Sequence, residues 1–385
     1  MRVKLVAVLL AGLAFLACRE PDLDPKASLS ISGALRAGDD QGYARALEPR
    51  DFSFPADHGP HPEFRTEWWY YTGNLETAEG RRFGFQLTFF RSALAPEMPA
   101  RESAWATRQA WLAHFTVSDV QGGTFRSFER WGRGALGLAG AQAAPFRVWL
   151  KDWTAESVSS QAPPLHLRAS EDGVGIDLVL QQGKPPVLQG ERGLSRKSAE
   201  PGNASYYYSL TRMPARGTVR LGDERLAVTG LTWMDREWST SALGKDQVGW
   251  DWFSLQLSDG WDVMLYRLRR KDGTGDPASS GTLIDPAGKS RALSLADFAI
   301  DGSGEWRSPR SGARYPDRWR LRVPSEDLDL TVRPLLADQE LDVSIRYWEG
   351  AVAVEGIHHG RPVQGRGYVE LTGYTEAVRT PATQR

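Results

Sequence analysis

From about residue 66 the chain consists of short alternating runs separated by Gly, Asp, Pro and Asn. No segment carries a long helical periodicity. This pattern restricts the possible folds more than any other feature of the sequence. RFGFQLTFFR (82–91), WLAHFTVSD (111–119), GIDLVLQQ (175–182) and WDVMLYRLRR (261–270) read as strands, as do LTVRPL (330–335) and GAVAVEG (350–356). SLADFAI (294–300) predicts one short helical turn. Short strands at regular spacing build antiparallel barrels or sandwiches. The 39 Gly and 23 Pro supply the turns, and the 15 Trp supply bulky rings for the interior. The expected fold class is all-β with few short helices.

The two halves resemble each other. Residues 69–91 run aromatic strand, turn, second strand, arginine, and residues 250–267 do the same with a tighter turn. The first half closes with GTVRLGDERLAVTGLTWMDREW (217–238) and the second with GAVAVEGIHHGRPVQGRGYVELTGY (350–374). Aligning Gly230 with Gly365 sets Trp233 opposite Tyr368 and Asp235 opposite Glu370. A duplicated β-domain follows, over 50–240 and 245–378.

Three stretches carry candidate chemistry. In TWMDREWS (232–239) a strand places Trp233, Asp235 and Glu237 on one face, and Met234, Arg236 and Trp238 on the other. Two carboxylates beside indole rings are desolvated, which raises a carboxyl pKa and suits a general acid. The alternative is that they pair with arginines such as Arg91, Arg236 or Arg267 and lock the halves together. In GWDWF (249–253), Trp250 and Trp252 share one face, and Asp251 stands on the other although Asp is depleted in strands. In EWWYY (67–71), Glu67, Trp69 and Tyr71 share one face and Trp68 and Tyr70 the other. Both faces are therefore buried or in contact with a ligand, and each phenol and indole wants a polar partner. We expect Glu67 to be a salt-bridged anchor at the seam, with an arginine of the second half as one partner. His114 lies mid-strand; His358 and His359 fall in a turn and are expected to be solvated.

The amino terminus reads as a leader over 1–18. Arg2 and Lys4 precede the apolar run VAVLLAGLAFLA, too short for a spanning helix. FLAC is similar to a bacterial lipobox, with the chain's single cysteine, Cys18, as the lipidation site; a plain signal peptide cleaved near Ala17 is the alternative. Residues 19–50 read as a polar tether. Export to the bacterial cell envelope, in the periplasm or at the outer membrane, is expected, with the membrane reached through the lipid anchor. A formal net charge of −1 and dispersed basic residues argue against nucleic-acid binding. No GxSxG, HExxH or P-loop motif is present. His58, His61 and His114 lack metal-ligand spacing, and neither a metal nor another cofactor is expected.

Taken together, EWWYYTGNL, FQLTFFR, WLAHFTVSD, YYYSLTRM, GLTWMDREW, GWDWFSLQL, YWEGAVAVEG and GYVELTGY resemble the AttH-like "predicted secreted hydrolase" family, related to the bacterial carotenoid hydratases. The resemblance covers about residues 50–378. It implies two tandem lipocalin-like antiparallel β-barrel or sandwich domains and an apolar small-molecule or lipid ligand. It implies reaction with water through carboxylates, for which Asp235, Glu237 and Asp251 are the catalytic candidates. The ligand-lining candidates are Glu67, Trp69, Tyr71, Arg91, His114, Trp238, Trp250, Trp252 and Tyr266. The hydratase branch carries a histidine after the motif's Asp. This chain has Arg236 there, a poor proton donor, so carotenoid hydration itself is not expected. The alternative function is a non-catalytic carrier working with an envelope ABC-type transporter.

Overall fold

The computed structural model describes residues 40–374 apart from 99–101, 160–161 and 242. The expected leader, Cys18 and most of the tether lie outside the described residues. Two antiparallel sheets account for nearly all of the regular structure; three single-turn 3-10 segments, at Ala56–His58, Leu295–Asp297 and Pro324–Glu326, are the helical content among the described residues. Both sheets are barrel-like and wrap around their own apolar interiors.

The first sheet has 13 strands. At its centre Thr66–Glu76 pairs with Arg82–Ala93 on one side and with Glu224–Ser239 on the other. Ala204–Leu221 continues the sheet beyond Glu224–Ser239. The second sheet has nine strands and repeats this plan. Gln247–Leu257 lies between Asp262–Arg270 and Arg361–Leu371, and Trp348–His358 follows Arg361–Leu371. The registers agree: Leu75 faces Gly230 and Tyr70 faces Asp235, while Leu257 faces Gly365 and Trp252 faces Glu370. Asp235 and Glu370 thus occupy equivalent positions in the two closing strands.

Side-chain alternation then gives each central strand two jobs. Inward residues such as Trp69, Tyr71, Phe85, Phe89, Met234 and Trp238 fill the first barrel, and Phe253, Leu255, Trp319 and Val352 fill the second. Outward residues of both barrels meet in a third apolar cluster that includes Tyr70, Tyr207, Trp233, Trp252, Met264, Tyr266 and Tyr368. This seam is fixed by polar ties. Asn74 donates to the Gly367 carbonyl at 3.0 Å, and Gln256 donates to the Thr211 carbonyl at 2.6 Å. Gly84 lets the barrels approach: a Cβ there would lie 2.6 Å from the Ala351 Cβ.

Candidate active site

Where the outward faces diverge, they leave a cavity of about 210 Å³. Its walls are mainly rings and aliphatic groups: Trp68, Phe90, Leu112, Trp131, Trp250, Trp252 and Leu268. Four carboxyl groups open onto it: Asp235 and Glu237 from the first barrel, Glu349 and Glu370 from the second.

Asp235 is 4% exposed. Its Oδ1 accepts hydrogen bonds from Ser209 Oγ at 2.5 Å and Trp233 Nε1 at 2.7 Å; its Oδ2 accepts from the Tyr207 hydroxyl at 2.6 Å. Burial pushes its carboxyl up to about 7, against the pull of these three donors and with help from the nearby Glu237 charge. No cation stands within ion-pairing distance of Asp235 among the described residues. Glu237 differs: Lys197 Nζ lies 2.9 Å from its Oε1, and the Ser205 hydroxyl donates to the same oxygen. Burial alone would lower the Lys197 pKa, but the Glu237 charge turns the shift upward. The ammonium also lies 4.8 Å from the centre of the Tyr266 ring.

Glu349 and Glu370 face each other directly across neighbouring strands. The Tyr70 hydroxyl donates to Glu349 Oε1 at 2.5 Å, and Trp250 Nε1 donates to Glu370 Oε2 at 3.1 Å. Burial raises both carboxyl pKa values, and for Glu349 the repulsion from Glu370 adds to it. Glu349 Oε2 is buried without a hydrogen-bond partner. The Tyr347 phenol beside it is engaged by His114 Nδ1 at 2.8 Å and by Gln86 Nε2 at 3.2 Å.

The structure divides the sequence-derived candidates by face. Asp235, Glu237, His114, Trp250, Trp252 and Tyr266 line the cavity. Glu67, Trp69, Tyr71, Arg91 and Trp238 do not: they point into the first barrel. Glu67 is ion-paired there with both Arg91 and Arg236, and the Arg236 guanidinium lies 3.9 Å from the centre of the Trp69 ring. Both arginines belong to the first half, which corrects the expected tie to the second. Burial alone would raise the Glu67 pKa, but Arg236 and Arg91 hold it well below the ordinary carboxylate range. Asp251 is also displaced from the site. It is bonded to Arg267 at 2.7 Å, Arg269 at 3.0 Å and the Tyr374 hydroxyl at 2.9 Å, away from the cavity. Arg267 therefore pairs with Asp251, and none of the three named arginines pairs with Asp235 or Glu237. His358 is buried, with Nδ1 2.6 Å from Asp259 Oδ2, rather than solvated. Together with His359 and Glu326 it brings potential ligand atoms within 4.8 Å of one another, a grouping that the sequence spacing does not reveal.

Several cavity residues escaped the sequence reading: Trp68, Tyr70, Lys197, Tyr207, Tyr347, Glu349 and Glu370. A signal existed for three of them, since Trp68 shares its strand face with Tyr70. Glu370 aligns with Asp235, and Tyr70 is on the second face of EWWYY.

Two comparisons with known proteins show the family, and others show related sequence or fold. The AttH-like family profile matches residues 45–374. The crystal structure of an AttH protein from Nitrosomonas europaea superposes with a TM-score of 0.76 at 35% identity, covering 86% of this chain and 99% of that one. Kievitone hydratase of Fusarium solani subsp. phaseoli is 22% identical over 229 residues, 58% of this chain and 62% of that enzyme. That alignment spans less than two thirds of the fungal protein. The structure of kievitone hydratase from Nectria haematococca shares the fold, with a TM-score of 0.67 at 16% identity, covering 88% of this chain and 98% of that one.

Proposed function

We propose a function from one premise: this chain belongs to the AttH-like family. It is an enzyme that brings water to an apolar substrate held between the barrels, in a hydratase-type or hydrolase-type reaction. One observation supports this above all. Four carboxyl groups line a largely aromatic cavity, and only Glu237 has an ammonium partner among the described residues. A carrier of apolar ligands gains nothing from burying acids that have no counter-charge, because each costs free energy.

Asp235 is the proton donor. With a pKa raised to about 7 it retains its proton in a good fraction of molecules near neutral pH. Tyr207 and Ser209 hold the carboxyl in place, and Trp233 bonds the same group. Proton transfer to an alkene carbon, or to a leaving oxygen, generates positive charge on the substrate. The faces of Trp250 and Trp252 stabilise that charge, by about 0.5–2 kcal/mol each. Water then adds to the cationic centre. Lys197 and Ser205 both bond Glu237 Oε1, which fixes that charge where it tunes the field around Asp235.

The test is turnover in water enriched in oxygen-18. Kievitone, the compound in the name of the fungal relative, is the first of a panel of unsaturated apolar compounds. The reading expects label in the product, and a rate about 10²–10⁴-fold lower for Asp235→Asn. Compounds that bind the cleft with no label incorporated by the native chain would contradict it, as would an Asp235→Asn variant of full rate.

A further inference from the structure

Hydration requires two proton movements: one to the substrate, and one away from the attacking water. Asp235 accounts for the first. The Lys197 ammonium holds Glu237 Oε1 at 2.9 Å, which leaves the carboxyl groups without a counter-ion as further candidates for the second. The second barrel offers one. Glu349 and Glu370 are direct cross-strand partners, both line the cavity, and Glu349 is fully buried. Like charges directly opposite each other on a sheet destabilise it. Around the pair stand the Tyr70 and Tyr347 phenols, the Tyr368 phenol, Asp235 and Glu237; no lysine or arginine lies within ion-pairing distance of either member among the described residues. Two adjacent carboxylates, Glu349 fully buried and Glu370 partly so, with no cation beside them retain a proton between them. Glu349 Oε2 is buried against the wall of the cleft without a hydrogen bond of good geometry, and the Tyr347 phenol beside it favours its charged form; it is an acceptor for a hydroxyl that enters next to it.

We propose, building on the hydratase-type reading above, that Glu349 and Glu370 share one proton and act as the second acid–base centre of the cleft, with Glu349 Oε2 receiving the proton of the attacking water. The balance is simple. Asp235 gives its proton to a substrate carbon, forming a C–H bond from the alkene π pair. The water oxygen forms the C–O bond. One water proton passes to Glu349 Oε2, so Asp235 ends as a carboxylate and the pair ends with two protons. Exchange of a proton from the pair to solvent, and from solvent to Asp235, restores the starting state. The duplication gives this arrangement a structural basis: equivalent closing strands place Asp235 and Glu370 on the two walls of one cavity.

The test combines titration with kinetics on the full chain. Carbon-13 NMR of protein labelled at glutamate Cδ follows the pair from acid to alkaline pH in the native chain, Glu349→Gln and Glu370→Gln. A shared proton predicts two separated steps in the native protein, the upper one far above ordinary glutamate. In either variant the remaining acid should titrate at least about one unit lower, a tenfold change in its proton affinity. Midpoints that are identical in the native chain and the variants would overturn the pair. On any compound the native chain hydrates, Glu349→Gln should lower kcat about 10²–10⁴-fold with KM nearly unchanged, and should remove the acidic limb of the pH profile. An unaltered kcat and pH profile would overturn the base role. If no compound is hydrated, the functional reading fails while the NMR result still decides whether the pair shares a proton.

Discussion

Glu67 and Asp235 lie in adjacent strands, at register positions three residues apart, and both are buried. Their surroundings drive them in opposite directions. Glu67 faces the barrel interior between two guanidinium groups; Asp235 faces the cleft among neutral donors. Glu67 is thus a structural ion and Asp235 a poised acid. Glu67→Gln leaves Arg91 and Arg236 buried without their counter-ion, and removing one partner of such a group costs about 3–5 kcal/mol. The pH dependence has a definite sign. The folded pKa of Glu67 is depressed, so its contribution is present above the unfolded value near 4.5 and is lost as pH falls through the folded value. Urea denaturation should therefore show a large stability gap between native chain and Glu67→Gln at neutral pH, narrowing steadily below about pH 4. A constant gap down to pH 2 would contradict this assignment.

At the level of the strand, period-two alternation made much of the site legible in the sequence. It grouped Trp233, Asp235 and Glu237, and it separated Trp68 and Tyr70 from Trp69 and Tyr71, as the structure has them. It did not say which group entered the barrel, because both faces of EWWYY are aromatic and both are buried. Glu67, Trp69 and Tyr71 therefore read as ligand contacts in the sequence although they pack inside the first barrel, as do Arg91 and Trp238. Asp251 failed for a related reason: its partners Arg267 and Arg269 come from the neighbouring strand, and the register that joins them is not written in either segment. The packing of outward faces also has a tight point. Gly84→Val should force Ala351 and the Tyr368 hydroxyl aside, since a Cβ alone would lie 2.6 Å and 2.8 Å from them. Overpacking of this kind costs about 1–3 kcal/mol. Thermal melting should show the loss; a variant as stable as the native chain would mean the barrels separate freely at this point.

Across the whole molecule, the cavity exists only because two similar barrels pack by their outer faces. Each contributes a closing strand with an acid at the same position, and each contributes rings to the shared wall. The repeat itself was visible in the sequence through Gly230 and Gly365. The contact between its copies was not, because distant pairs such as Tyr70 with Glu349 leave no local pattern. Everything proposed for this cleft requires that buried carboxyl groups there carry protons at physiological pH. Infrared spectroscopy reads this directly through the carbonyl stretch of protonated carboxylic acids. The native chain at pH 6 should show such a band, diminished in Asp235→Asn and further diminished when Glu349→Gln is added. Because the Asp235 pKa is raised to about 7, its share of the band should vanish as pH rises past that value. A spectrum at pH 6 without protonated carboxyl absorption, or one unchanged by Asp235→Asn, would contradict the account.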